Sequence, residues 1–369
     1  MNSKSTQILF MFGPGGVGKT TLSSALGLSF AATGLDVLVI TVDPARRLKD
    51  VLRLKDIGFE PVCINDYFRE ESGEVLLGKM DAMMVDSKDA FLNLLKRYIP
   101  EESVISKIVA NRIFKFLSES MIGAQEYFAA EKIYDIFLKK EYDIIIVDTA
   151  PSKNAFEFID GAHKMVDFLD KRVIRFFADI EDSGSLTGIF FKKTGDFLYK
   201  ILGVIFGLEF ISDMKEFLNS LSSMYDNLLN RAYELSALYL SENVKYFIIG
   251  SPQKISLGEL SHLMKGLRQR GISKITTIIN RAPYFYGREE LMEELNILMT
   301  NCKNSDIRLN LEFILALEKE MLESIKRDIK GLDETFKGEK VILPDLYSDI
   351  YSLGQLLHLG DILRGGFRI

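Results

Sequence analysis

The segment Gly13-Pro14-Gly15-Gly16-Val17-Gly18-Lys19-Thr20 fits the pattern G-x-x-x-x-G-K-[ST]. Glycines in such a run let successive backbone N–H groups turn inward and form a concavity for phosphate oxygens. Lys19 would then reach the β- and γ-phosphates of a nucleoside triphosphate, and the Thr20 hydroxyl would ligate Mg²⁺. Thr21 extends the loop into the segment that follows. The competing reading is a glycine-rich turn with no ligand. It loses ground because an apolar run precedes the loop and a helical pattern follows it.

Two carboxylates stand at the ends of apolar runs, where such a loop needs them. Tyr142-Asp-Ile-Ile-Ile-Val-Asp148-Thr-Ala-Pro ends in Asp148, the expected place for an outer-shell partner of Mg²⁺. Val39-Ile-Thr-Val-Asp43-Pro-Ala ends in Asp43 in the same way. In an open parallel sheet, strand ends of this kind meet the ligand at the carboxyl edge. Asp43 would orient or deprotonate the attacking water, while Asp148 holds the metal shell. Either residue could instead cap the helix after it, since Asp favours helix starts. Arg46 and Arg47 follow Asp43 in a basic stretch with Lys49 and Arg53. They read either as cations for the γ-phosphate or as a solvated turn pairing with Asp50.

Elements that position these residues follow from the apolar pattern. Strands are expected at Ile8–Phe12, Val37–Val42, Val75–Leu77, Ile144–Val147, Tyr246–Ile249 and Ile275–Ile279. Helical periods lie between them, as at Thr20–Ala32 and Leu257–Arg270. The alternation predicts an α/β fold: a mostly parallel sheet with helices on both faces, and an inserted helical subdomain in the long intervals. No Pro/Gly/Ser linker divides the chain. Residues 1–369 therefore read as a single P-loop NTPase domain with helical insertions at about 84–135 and 160–240.

Composition removes whole classes of function. Lys+Arg number 46 against Asp+Glu 52 in 369 residues, a net charge of −6, which argues against nucleic acid as a partner. Two cysteines, Cys63 and Cys302, build neither a disulfide framework nor a CxxC site. The N-terminus lacks a signal-peptide layout, and the longest clean apolar run, Ile201–Leu208, is far short of the ~20 residues that cross a bilayer. The expectation is a cytoplasmic protein, with a peripheral place at the membrane left open.

The ordered set GPGGVGKTT, TVDPARRLKDVL, GAQEYFAAEKIY, YDIIIVDTAPS, SPQKISLGEL and TTIINR resembles the arsenite-pump ATPase family. That family includes the ATPase that targets tail-anchored membrane proteins, and it belongs with the deviant-P-loop dimeric ATPases. The resemblance runs from about residue 7 to LPDLYSDIYSLGQLL and is nearest to the bacterial branch. It implies ATP and Mg²⁺ as ligands, and a homodimer, or a heterodimer with a paralogous ATPase, that closes around its nucleotides. Gly13 to Thr21 would form the phosphate loop, Asp43 would sit in the first switch and Asp148 would open the second. Asn280 matches the position that reads the adenine, and Pro344 resembles the proline flanking the base. An Asn at a strand end can donate to and accept from a base edge at once, though it is equally a turn residue.

Three positions depart from the family's pattern. The second loop lysine, which crosses to the partner's phosphates, is Pro14 here. The second switch, usually DTAPTGH, reads Asp148-Thr-Ala-Pro-Ser152-Lys153-Asn154. The paired zinc cysteines and the arsenite thiols are missing. Residues Phe156–Phe217 hold eleven phenylalanines. In the tail-anchor branch, the matching helices take up a client's hydrophobic helix, so Phe190, Phe191, Phe206 and Phe210 read as groove residues; at helical spacing they read equally as core. The expected function is a Mg²⁺-dependent ATPase that opens and closes a dimer with such a client region. The alternatives are the ATPase subunit of an oxyanion efflux pump with a membrane-protein partner, or an ATP-binding switch with negligible hydrolysis.

Overall fold

The computed structural model describes residues 5–43, 47–119, 124–150, 155–169, 208–221, 224–252, 257–335, 338–346 and 349–366. The chain divides into two compact units. The first comprises Met1–Met84, Lys139–Phe156 and Glu242–Ile369, and the second Val85–Leu138 and Glu157–Ser241.

The first unit carries an eight-stranded sheet. Its strands are β1 (Gln7–Phe12), β2 (Val37–Thr41), β3 (Val62–Cys63), β4 (Met80–Met84), β5 (Ile144–Asp148), β6 (Val244–Gly250), β7 (Ile275–Ala282) and β8 (Glu339–Pro344). They lie in the order β3-β4-β2-β5-β1-β6-β7-β8. All neighbours are parallel except β3 against β4. Every residue of β2, β4 and β5 is buried. That is the mark of a parallel sheet covered on both faces, and it explains the unbroken apolar runs. Together with 14 helices among the described residues, this is the expected α/β architecture.

The helix Lys19–Ala32 follows β1 and is buried almost along its length, from Leu22 to Ala31. Its burial has two sources. Gly27 lets it lie on the sheet, where a Cβ would come 2.6 Å from Val39 Cγ2. On another side the C-terminal helix Leu353–Gly365 crosses it at Gly360, where a Cβ would meet the Ala25 carbonyl oxygen at 2.0 Å. The Arg364 guanidinium donates to Ser29 Oγ (2.8 Å), and that hydroxyl donates to Asp361 (2.6 Å). Ser352 caps the C-terminal helix by accepting from the Gln355 N–H.

One expected strand is absent. Val75 and Leu77 are 67% and 78% exposed, in the connection between the helix Asn65–Ser72 and β4. The strand in this interval is Met80–Met84 instead. Methionine is a weak strand former, and Asp81 interrupts the run, so its pattern gives no strand signal. The buried Asp81 carboxylate is accommodated by the Lys79 ammonium and the Tyr142 hydroxyl, each at 2.5 Å. β3 and β8 were likewise silent, being a two-residue edge and a run that mixes charge with apolar residues.

The second unit is helical. Its centre is an ionic cluster joining the helices Ser87–Tyr98, Ala124–Lys139 and Tyr225–Tyr239. Arg231 donates to Glu131 (2.7 Å) and Asp135 (2.5 Å), and Arg97 donates to both oxygens of Asp135. Tyr127 donates to Glu131 at 2.7 Å. No helix among the described residues is long and apolar enough to cross a membrane.

Candidate functional site

The loop after β1 is shaped by close approach. Gly13 passes the β6 carbonyl of Ile249 so tightly that a Cβ would sit 2.3 Å from the oxygen. Gly16 and Gly18 have φ of 76° and 95°, the left-handed region that costs side-chain-bearing residues energy. Gly18 then caps the helix Lys19–Ala32, and no side chain caps that terminus. The helix start therefore presents backbone N–H groups and the positive end of its dipole to the loop's concavity. Gly15 is half-buried, Gly16 exposed and Val17 fully buried, so the loop is anchored through Val17.

Lys19 lies inside this loop. Its ammonium donates to the carbonyls of Gly13 and Pro14, both at 2.9 Å. Burial lowers its pKa, opposed by the charges of Asp148 and Asp43. A desolvated ammonium beside an uncapped helix start is a site for a multiply charged anion. Pro14 contributes its carbonyl to the lysine and no cation.

Strand ends bring the acidic residues to this place. Asp148 closes β5 and is buried, accepting through Oδ2 from the Thr20 hydroxyl (2.7 Å) and the Thr41 hydroxyl (3.2 Å). Its other oxygen, Oδ1, is buried without a hydrogen-bond partner. Burial pushes this carboxyl up to about 6, against the pull of Thr20, Lys19 and Thr41. Asp43, two residues past β2, donates its backbone N–H to the Thr41 hydroxyl at 3.2 Å. Arg47 Nε lies 4.0 Å from Asp43 Oδ2. Thr149, not singled out from the sequence, ties the end of β5 to β1 by donating to the Met11 carbonyl at 2.8 Å. Its hydroxyl follows Asp148 directly, which was the available signal.

An oxygen-ligated cation fits this arrangement. Mg²⁺ takes oxygen ligands, retains several waters and is commonly held through one or two carboxylates plus substrate phosphates. An orphaned, buried carboxylate oxygen beside a threonine hydroxyl is the donor chemistry for that ion. Among the described residues no group of three or more His, Cys, Asp and Glu side chains forms a separate metal site.

Asn280 lies at an irregularity of β7, where the pairing with β8 shifts register between Ile279 and Ala282 and Arg281 takes φ 60°. That break turns the Asn280 side chain to the phosphate loop, and its amide donates to the Val17 carbonyl at 2.9 Å. Gly18 must lack a side chain here too, since a Cβ would lie 2.5 Å from Asn280 Nδ2. Pro344 ends β8 opposite Ala282, whose carbonyl accepts from the Asp345 N–H at 2.8 Å. The structure thus collects Gly13 to Thr21, Asp43 and Asp148 around one loop, and Asn280 touches that loop directly. Thr21 is half-buried in the first helical turn. Phe210 is half-buried on the helix Leu208–Ser220. Arg46, Ser152, Lys153, Asn154, Phe190, Phe191 and Phe206 lie outside the described residues.

Residues 6–308 match the profile of the anion-transporting ATPase family. An ATPase ASNA1 homolog 2 of Paramecium tetraurelia is 24% identical over 76% of this chain and 77% of its own. The ATPase get3 of Aspergillus terreus is 23% identical over 76% of this chain and 74% of its own. A protein of Halobacterium salinarum, named as an arsenical pump-driving ATPase, is 27% identical over 45% of this chain. That last match spans only 25% of the Halobacterium protein.

Proposed function

Because the chain belongs to the anion-transporting ATPase family, we propose that it is a Mg²⁺-dependent ATPase whose nucleotide state opens and closes a dimer carrying a hydrophobic helical client region. One observation carries the chemical part of this reading. Lys19, Thr20, Asp43 and Asp148 converge on the uncapped start of one helix, with Asp148 Oδ1 buried and unpartnered.

The roles follow from that geometry. Backbone N–H groups of Gly15 to Thr20 would hold the β-phosphate, and the Lys19 ammonium would leave its loop carbonyls for the β- and γ-phosphate oxygens. The Thr20 hydroxyl would ligate Mg²⁺ directly, and Asp148 would accept from a water of the metal's shell. When bound, the ion would neutralise charge on the phosphate oxygens. Asp43 would hold the attacking water in line with the γ-phosphorus and take its proton. The bond to the bridging oxygen breaks, and ADP leaves with that electron pair. Asn280, tied to Val17, would meet the adenine edge with its remaining donor and its carbonyl, and Pro344 would flank the base. With Pro14 lacking a cation, Arg46 or Arg47 would balance the γ-phosphate, and Arg47 Nε lies 4.0 Å from Asp43. A pair of cysteines, too few for a three-thiolate site within one chain, weighs against the pump alternative.

Two variants test the assignment. Lys19→Ala is expected to abolish ATP binding in a calorimetric titration. Asp43→Asn should bind ATP as the parent does while hydrolysing it about 10² times more slowly. Unchanged ATP affinity in Lys19→Ala would remove the phosphate-loop assignment, and parental turnover in Asp43→Asn would reduce Asp43 to a helix cap.

A further inference from the structure

In the first unit, the helix Ser305–Thr335 buries a stripe made of Leu315, Glu318, Leu322, Ile325 and Ile329, spaced alternately by three and four. That spacing keeps them on one face of the helix, and a buried face calls for apolar residues. Glu318 is the exception, a carboxylate only 6% exposed. It accepts from the Tyr284 backbone N–H, while its Oε2 is buried without a hydrogen-bond partner. Burial raises its pKa, opposed by the Tyr284 N–H and reinforced by the charge of Asp345. An apolar residue would complete the stripe at lower cost, because a buried carboxylate oxygen without a donor loses hydration that nothing replaces. What Glu318 adds to the packing is an acceptor at Tyr284.

Tyr284 lies just past the irregular part of β7 that carries Asn280. The register against β8 shifts between Ile279 and Ala282, and Arg281 takes φ 60°. A left-handed arginine persists only where its surroundings over-determine it. Bonds on both sides of the break do so. Before it, the Asn280 amide donates to the Val17 carbonyl at 2.9 Å. After it, the Ala282 carbonyl accepts from the Asp345 N–H at 2.8 Å, and Glu318 holds the Tyr284 N–H. Pro283 has no N–H, so that of Tyr284 is the first donor after Ala282 that a clamp can use.

We infer that Glu318 is a positioning residue for recognition of the nucleotide's base: it clamps the far side of the break in β7 and so keeps the Asn280 side chain at the phosphate loop. This role rests on the proposed reading of Asn280 as the adenine contact. Glu318 acts through the backbone of Tyr284, so its acceptor oxygen matters and its charge does not. Without the clamp, Arg281 relaxes toward an extended conformation and Asn280 turns with it, because the two share a peptide bond. The phosphate loop, held by its own glycines and by Val17, keeps its shape.

Calorimetric titration of the full-length chain with ATP and with inorganic tripolyphosphate separates base contacts from phosphate contacts. Glu318→Met keeps the volume and the helix propensity but offers no strong acceptor. It is expected to weaken ATP binding about 10-fold, the loss of one or two base-edge hydrogen bonds, with tripolyphosphate binding and melting temperature close to the parent's. Glu318→Gln retains an acceptor for the Tyr284 N–H and should bind both ligands as the parent does. Adding Arg281→Gly, which takes φ 60° without strain, should restore part of the ATP affinity that Glu318→Met loses. In an Asn280→Ala background, Glu318→Met should have no further effect. Parental ATP affinity in Glu318→Met, equal loss of ATP and tripolyphosphate, or a Gln variant as weak as the Met variant would each overturn the role of Glu318. A collapsed melting temperature in Glu318→Met would make it a core residue and overturn the role as well. Asn280→Ala with parental ATP affinity would instead remove the adenine reading, and the role of Glu318 with it.

Discussion

Asp148 shows how a functional requirement is held against stability at a single residue. Its carboxyl titrates near 6 in the folded chain because burial disfavours the charged form, against about 3.9 when unfolded. Between these values the folded chain keeps a proton that the unfolded chain has released. The stabilisation is therefore complete below about pH 4 and is lost as pH rises through about 6. Two units correspond to about 3 kcal/mol, so the ionised carboxylate is a burden of that order near neutral pH without metal. Asp148→Asn is accordingly expected to melt several degrees above the parent at pH 7.5 in EDTA, with a flatter profile from pH 4 to 7. The same variant should lose Mg²⁺-dependent hydrolysis. Melting curves across that pH range check the first expectation; an Asp148→Asn profile that still falls through pH 6 would assign the titration to another group.

At the scale of elements, the helix Lys19–Ala32 is fixed by contacts that admit almost no side chain. Its crossing with the C-terminal helix depends on Gly360, where a Cβ would meet backbone at 2.0 Å. Gly360→Ala must push the two helices apart, and overpacking of this kind costs about 1–3 kcal/mol, sometimes more. Gly365→Ala, on the same helix with nothing within 4 Å of the new methyl, should change stability little. Denaturant midpoints of the two variants make the comparison. Because the helix Lys19–Ala32, which Gly360 packs against, carries Lys19 and Thr20 at its start, Gly360→Ala should also loosen ATP binding, whereas Gly365→Ala should not.

At the scale of the whole molecule, the two compact units are stabilised by different physics. The sheet unit rests on apolar strands and the helix beneath the phosphate loop. The helical unit has an ionic centre, in which Arg231 (7% exposed) compensates Glu131 (2% exposed) and Asp135. Burial raises the Glu131 pKa, and only the Arg231 charge and the Tyr127 and Arg231 hydrogen bonds hold it down. Arg231→Met leaves the buried Glu131 carboxylate with the Tyr127 hydroxyl and no cation, while Arg97 still pairs Asp135, a loss on the order of 3–5 kcal/mol. Hydrogen exchange should then quicken in the helices Ala124–Lys139 and Tyr225–Tyr239, while β1, β2 and β5 keep their protection. Adding Glu131→Gln should recover part of the loss, because the uncompensated charge is gone. Equal acceleration in both units would mean that they unfold as one.

The sequence by itself determined the phosphate loop, the two strand-end aspartates, the parallel α/β core and the family. These are local facts: a loop pattern, apolar runs of strand length and a carboxylate at the end of each. Tertiary structure decided the rest. Val75 and Leu77 have strand composition yet lie exposed, while the strand is Met80–Met84, whose buried Asp81 is met by Lys79 and Tyr142 from outside its own run. Asn280 was legible as a residue at a strand end, but its bond to Val17 depends on a register break between β7 and β8, where Ala282 pairs with Pro344 from a distant part of the chain. Thr41 and Thr149 fix the carboxylate and the strand ends through hydroxyls whose partners lie more than 100 residues away. The need for glycine at position 360 is equally invisible in sequence, since it arises from a helix more than 300 residues earlier. Patterns of period two and 3.6 report which face of an element is buried; they carry no information about what buries it.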